Sequence, residues 1–209
     1  MSMPLLKFFW TKSVFAVFAF CVALPLHAAD LLAEVRASLA LEMVTAGEFR
    51  QTRHLAGIGK PLVSNGRFLL VRGLGVIWED LAPFARTMRL TKSEILQTGE
   101  GGTIMHLSAD KEPVVGIVGN ILFGAFSGEF EALAQGFDYS GKVEGGKWQL
   151  DFTPKDSNIA RLIEKLSLAG ARDVEQVEIR NTAGDVTRIE FVVQTHAGEI
   201  SAEIRKRFE

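Results

Sequence analysis

Gly66-Arg67-Phe68-Leu69-Leu70-Val71-Arg72 is followed, after Gly73 and Leu74, by Gly75-Val76-Ile77-Trp78-Glu79-Asp80-Leu81. Both stretches are short and rich in apolar, aromatic and β-branched residues, and glycine or proline separates them from their neighbours. That is the composition of strands joined by tight connections. The pattern extends in both directions. On the N-terminal side, Phe49, Gln51, Arg53 and Leu55 alternate with Arg50, Thr52 and His54. On the C-terminal side, strand signals continue through Phe84–Thr91, Ser93–Gln97 and Gly102–Leu107. Several short strands in chain order predict an antiparallel meander. Residues two apart on a strand share a face. Phe68 and Leu70, Val76 and Trp78, and Met88 and Leu90 therefore line one face, with Phe49 on the preceding strand.

The meander is interrupted at Glu112–Gln135. Pro113 suits a first helical turn, and Val114 to Phe126 is apolar on nearly all sides. Such a helix is too short to span a bilayer and too apolar to lie on a surface. Ile117, Ile121 and Phe123 are its candidate inward-facing residues, and Gly116, Gly119, Gly124 and Gly128 weaken its rigidity. Strands are expected again at Phe137–Glu144 and Lys147–Thr153, then a hairpin of Val174–Asn181 with Val186–Gln194, and a last strand over Glu199–Phe208. Helices are expected over Asp30–Ala46, with Leu32, Val35, Leu39 and Met43 on one face and Gly47 as its stop, and over Ser157–Leu168. The fold class is α+β. Two readings of the apolar face remain open: an ordinary packed core, or a curved half-barrel holding an acyl or polyene chain beneath helices.

The first residues predict an address. Lys7 and Lys12 precede the apolar run Ser13–Leu24, Pro25 breaks it, and Ala28 and Ala29 follow. This is the layout of a secretory signal peptide over 1–28, leaving one domain over 29–209 in the periplasm. Without those two lysines the formal charge moves from −2 to −4. A mildly acidic chain is a poor partner for nucleic acid. Cys21, the only cysteine, falls in the leader, so no disulfide is available and stability must come from a packed core.

Signals for chemistry are few. His54, His106 and His196 have no second ligand at helical spacing, so no metal is expected. Ser127 lacks the first glycine of a nucleophile elbow. Glu79 and Asp80 are adjacent on a strand, which turns them to opposite faces. Ser108, Ser127 or Ser140 with His106 offer no motivated catalytic set. A non-enzyme without cofactor is expected.

Several segments together resemble the LolA family of periplasmic lipoprotein carriers. Phe49-Arg50-Gln51 after a helix resembles its F-x-Q opening. Gly66–Arg72, Val76-Ile77-Trp78 and Pro83 resemble its glycine, tryptophan and proline block, and Leu150-Asp151-Phe152-Thr153-Pro154-Lys155 resembles its L-x-L-T-P-K strand end. The resemblance implies an incomplete antiparallel barrel with helices packed as a lid in the concave face. It implies a monomeric carrier of lipoprotein acyl chains, or of a related envelope lipid, from an inner-membrane donor complex to an outer-membrane acceptor. The family arginine that latches the lid corresponds to Arg72. Two departures mark a divergent branch: Gly73 stands where the family has proline, and Leu90–Thr103 replaces its D-G-x-x-x-W-x-Y-D strand. A lipid-like biosynthetic product as cargo, or an envelope-stress sensor on the same fold, are the alternatives.

Overall fold

The computed structural model describes residues 28–111, 124 and 128–209. Eleven strands form one antiparallel sheet: β1 (Val44–His54), β2 (Leu62–Val71), β3 (Gly75–Ala82), β4 (Arg86–Thr91), β5 (Glu94–Gly99), β6 (Gly102–Ser108), β7 (Phe137–Glu144), β8 (Lys147–Pro154), β9 (Ile163–Gly170), β10 (Val174–Asn181) and β11 (Val186–Ala197). Among the described residues, four helices of one turn or more accompany it: α1 (Ala28–Ser38), α2 (Phe130–Gly136), α3 (Ser157–Ala160) and α4 (Ala202–Lys206).

The strand order is β6-β5-β4-β3-β2-β1-β11-β10-β9-β8-β7. Two meanders meet at β1 and β11, and β6 and β7 are left as the two edges, so the sheet is curved and open. Register shifts at Glu48/Phe49 against β11 and at Asn65/Gly66 against β3 add local twist near the centre. Close strand approach also requires glycine there. A Cβ on Gly66 would lie 2.0 Å from the Glu79 carbonyl oxygen and 2.5 Å from the Phe49 ring.

The expected meander is present strand for strand. Three other expectations are corrected. The helix expected over Asp30–Ala46 ends at Ser38, and Val44–Ala46 open β1, which pairs with β2 on one side and β11 on the other. Gly47 is therefore a strand residue, not a helix stop, and Met43 is not part of a helical face. Pairing on both flanks outweighs a helical spacing that continued by coincidence. The helix expected over Ser157–Leu168 is one turn, α3, followed by β9. Leu166 and Leu168 are both fully buried at two-residue spacing, between β8 and β10. The strand expected over Glu199–Phe208 is helix α4, capped by Ser201, whose Oγ accepts from the Ile204 amide at 3.1 Å. The leader through residue 27, and Ile117, Ile121 and Phe123, lie outside the described residues.

Both faces of the sheet are covered. The concave face holds the main core, in which α1 and α2 bury Leu32, Val35, Phe130 and Leu133. These two helices pack against β7 and each other, and α3 packs on β8 and β9. The convex face holds a smaller core of Val44, Leu69, Val71 and Ile77, covered by Ile200, Ile204 and Phe208. Arg207 donates to Glu79 at 2.7 Å and holds α4 in place.

Candidate functional site

The concave face is built by strand alternation. Phe68 sits opposite Trp78, Trp78 opposite Met88, Leu70 opposite Val76, and Val76 opposite Leu90. Phe49 enters from β1, and Gly66 opposite it leaves room for its ring. The Phe49 and Trp78 rings stack with centroids 3.7 Å apart. Phe191 meets Phe68 edge-on at 5.1 Å and Trp78 at 6.2 Å. The two edge-to-face contacts of Phe191 have the favoured geometry for aromatic pairs.

All seven described residues expected on this face, Phe49, Phe68, Leu70, Val76, Trp78, Met88 and Leu90, lie in one cluster. Six are buried, and Met88 is partly buried against them. Sequence reasoning missed Phe191 and Ile189 on β11, and Ile95 on β5, which belong to the same cluster. The alternation of Ile189 and Phe191 was visible. The β1–β11 pairing that brings them beside Phe49 was not. The other half of the face is closed by Trp148, Leu150 and Phe152 on β8, with Leu166 and Leu168 on β9. Trp148 donates its indole N–H to the Ala171 carbonyl at 2.7 Å, and Phe130 on α2 meets its ring edge-on at 6.1 Å.

Polar groups sit at the margins. Arg72 lies in the β2–β3 turn, where its amide donates to the Met43 carbonyl at 2.9 Å and its Nε is buried without a partner. Asp80 follows Trp78 on the concave face, opposite Arg86. Burial pushes its carboxyl above the usual carboxylate range, against the pull of Arg86 and the Trp78 indole. On the convex face, Glu94 bonds His106 at 2.7 Å and Arg89 at 2.8 Å. The His106 hydrogen bond, then Arg89, hold the Glu94 carboxyl below its usual range. His196 links Thr45 Oγ1, 3.3 Å from Nδ1, to Asp173 Oδ1, 3.0 Å from Nε2. This row ties the end of β11 to β1 and to the β9–β10 turn. Among the described residues, no group of three His, Cys, Asp or Glu side chains is placed to hold a metal ion.

Residues 27–206 match the family described as outer membrane lipoprotein carrier protein LolA-like. The chain belongs to the LolA-like family. No curated protein sequence matches it. Among solved structures, the chain is similar to a LolA superfamily protein from Nitrosomonas europaea, at 8% identity and TM-score 0.45, over 85% of this chain and 96% of that one. It is similar to a putative outer membrane lipoprotein-sorting protein domain from Vibrio parahaemolyticus, at 11% identity and TM-score 0.45, over 85% and 96%. It is also similar to a chain of the Pseudomonas aeruginosa MucA/MucB complex, at 14% identity and TM-score 0.48, over 84% of this chain and 59% of that one. In this chain the sheet is open and helices pack on its concave face. Among the described residues no helix is long and apolar enough to cross a membrane.

Proposed function

We propose that this LolA-like protein is a periplasmic carrier. It binds acyl chains of lipoproteins, or of a related envelope lipid, against its concave face and moves them from an inner-membrane donor to an outer-membrane acceptor. The observation that carries this reading is an apolar aromatic face, built by β1–β5 and β11, on the fold of a carrier family. Removing an acyl chain from water is worth about 0.8 kcal/mol per methylene. Affinity then needs only room, and release needs only the covering elements to move. The function requires no catalysis and no cofactor, and one copy of the chain suffices. Arg72 is the latch residue: its buried, unpartnered Nε is available to a carbonyl of a covering segment.

Lipid mass spectrometry on gently purified protein tests the reading, with bound acyl lipid as the expected result. A fatty acid brominated along its chain is also expected to quench the emission of Trp78. Met88→Glu, at a partly buried position of the same face, is expected to reduce that quenching at least tenfold in apparent affinity. Lipid-free protein whose tryptophan emission ignores the brominated chain refutes the carrier.

A further inference from the structure

The strand register brings five connections to one end of the sheet. Arg53 pairs with Leu62, Asp80 with Arg86, Gly99 with Gly102, Arg180 with Val186 and Phe152 with Leu166. Residues 98–104, 81–86, 53–63, 180–186 and 155–163 therefore follow one another along a single rim, in the order of their strands. Neighbours in the row touch. The Ala56 amide donates to Asp185 Oδ1 at 2.9 Å, and Thr182 Oγ1 donates to the Arg161 carbonyl at 2.8 Å. Among the described residues, eight large apolar side chains are half or more exposed, and six of them stand on this rim: Ile58, Leu62, Leu81, Phe84, Ile104 and Leu162. Phe84 is the extreme, at 72%. The opposite rim, with its turns at 72–74, 92–93, 145–146 and 171–173, carries none of the eight. Single exposed apolar residues are ordinary, whereas a cluster marks a surface that is covered in use.

We infer that this rim docks directly on an anionic lipid surface, with the apolar tips entering the headgroup layer. Charge complementarity selects the occupant. The five connections carry Arg53, Lys60, Arg86, Lys155, Arg161 and Arg180 against only Glu100, Asp156 and Asp185. Asp156 and Asp185 are turned onto the backbone amides of Asn158 and Ala56. Arg86 and Lys155 each face a strand carboxylate at 3.6 Å, Asp80 and Asp138. Even with those two acids counted, the rim is net positive on a chain whose formal charge is −2. Cations beside exposed apolar side chains are the composition of an interfacial anchor, in which burial of the tips adds to attraction by anionic headgroups. The tips stand on separate turns with cations between them. A fluid bilayer surface accepts such a row, whereas a protein partner needs one contiguous and complementary patch. The docking goes beyond the carrier reading and does not depend on it.

Flotation of the protein, purified after export, with lipid vesicles tests this. Wild-type protein is expected to float with vesicles of three parts phosphatidylethanolamine to one of phosphatidylglycerol, and to float less with pure phosphatidylcholine or as salt is raised. Phe84→Ser is expected to weaken binding roughly tenfold, the worth of one inserted aromatic side chain. Lys60→Gln should weaken it about fivefold on the anionic vesicles and leave the neutral ones unchanged. Val192→Ser, an equally exposed apolar position within β11 and away from the rim, should bind as wild type does. Ile58→Ser, on a different connection, supplies the apolar test should Phe84→Ser fail to fold. If wild-type protein stays behind with both vesicle types, the lipid docking is overturned, the rim is left to a protein partner, and the carrier reading stands on its own test of bound lipid. Equal losses from the rim variants and Val192→Ser also overturn it.

Discussion

The two faces of the sheet are built by the same strands and do different things. β2 contributes Phe68 and Leu70 to the concave face and Leu69 and Val71 to the convex one, and all four are buried. On the concave side the buried cluster extends across ten strands and includes eight large rings. On the convex side four buried residues are closed by one short helix. The concave face is thus an extended core shared by most of the sheet, whereas the convex face is a local clamp. An apolar run of the kind Phe68-Leu69-Leu70-Val71 marks a strand covered on both sides. That feature, more than the alternation, shows that something must cover the back of the sheet.

The largest expected effect lies on the concave side. Phe152→Ala, at a fully buried position, is expected to destabilise by about 3–5 kcal/mol, read by urea unfolding. Phe208→Ala, on the convex clamp, removes a partly buried ring and should cost about 1–2 kcal/mol. Equal losses in the two variants would mean that the convex face is a core of the same rank, and the contrast would break.

The smallest effect is the most discriminating, because the titrating carboxylates of the two faces shift in opposite directions. Glu94 on the convex side has its folded pKa lowered, so its contribution is present above the unfolded value and is lost as pH falls through the folded one. Asp80 on the concave side has its folded pKa raised, so its protonated form favours the native state and that advantage is lost as pH rises. Between about pH 3 and 6, the deficit of Glu94→Gln against wild type should therefore grow as pH rises. Over the same range the stability of Asp80→Asn relative to wild type should increase. Parallel pH profiles for the two variants would contradict the opposed environments.

Legibility in the sequence followed the range of the interactions. Local alternation identified β2 to β8 and placed Phe68, Leu70, Val76, Trp78, Met88 and Leu90 on one face. It failed where a local pattern was ambiguous and a distant partner decided. Val44–Ala46 continue a helical spacing, yet they lie between β2 and β11, the latter about 150 residues away in the chain. Leu162, Ile163 and Leu166 fit a helix, yet β8 and β10 flank the segment and draw it into the sheet. In the C-terminal segment the capping serine and the four-residue spacing of Ile200, Ile204 and Phe208 were readable as a helix, but short alternation masked them.

By itself the sequence determined the meander, the apolar face of its strands and the resemblance to a carrier family, because period-two alternation and glycine punctuation act over a few residues. Only the tertiary structure decided that β1 and β11 meet at the centre, that Phe191 completes the ring cluster around Trp78, and that α4 closes the back. These depend on contacts between segments far apart in the chain. The free energy of burying a ring against a partner on a distant strand has no signature in the residues next to it.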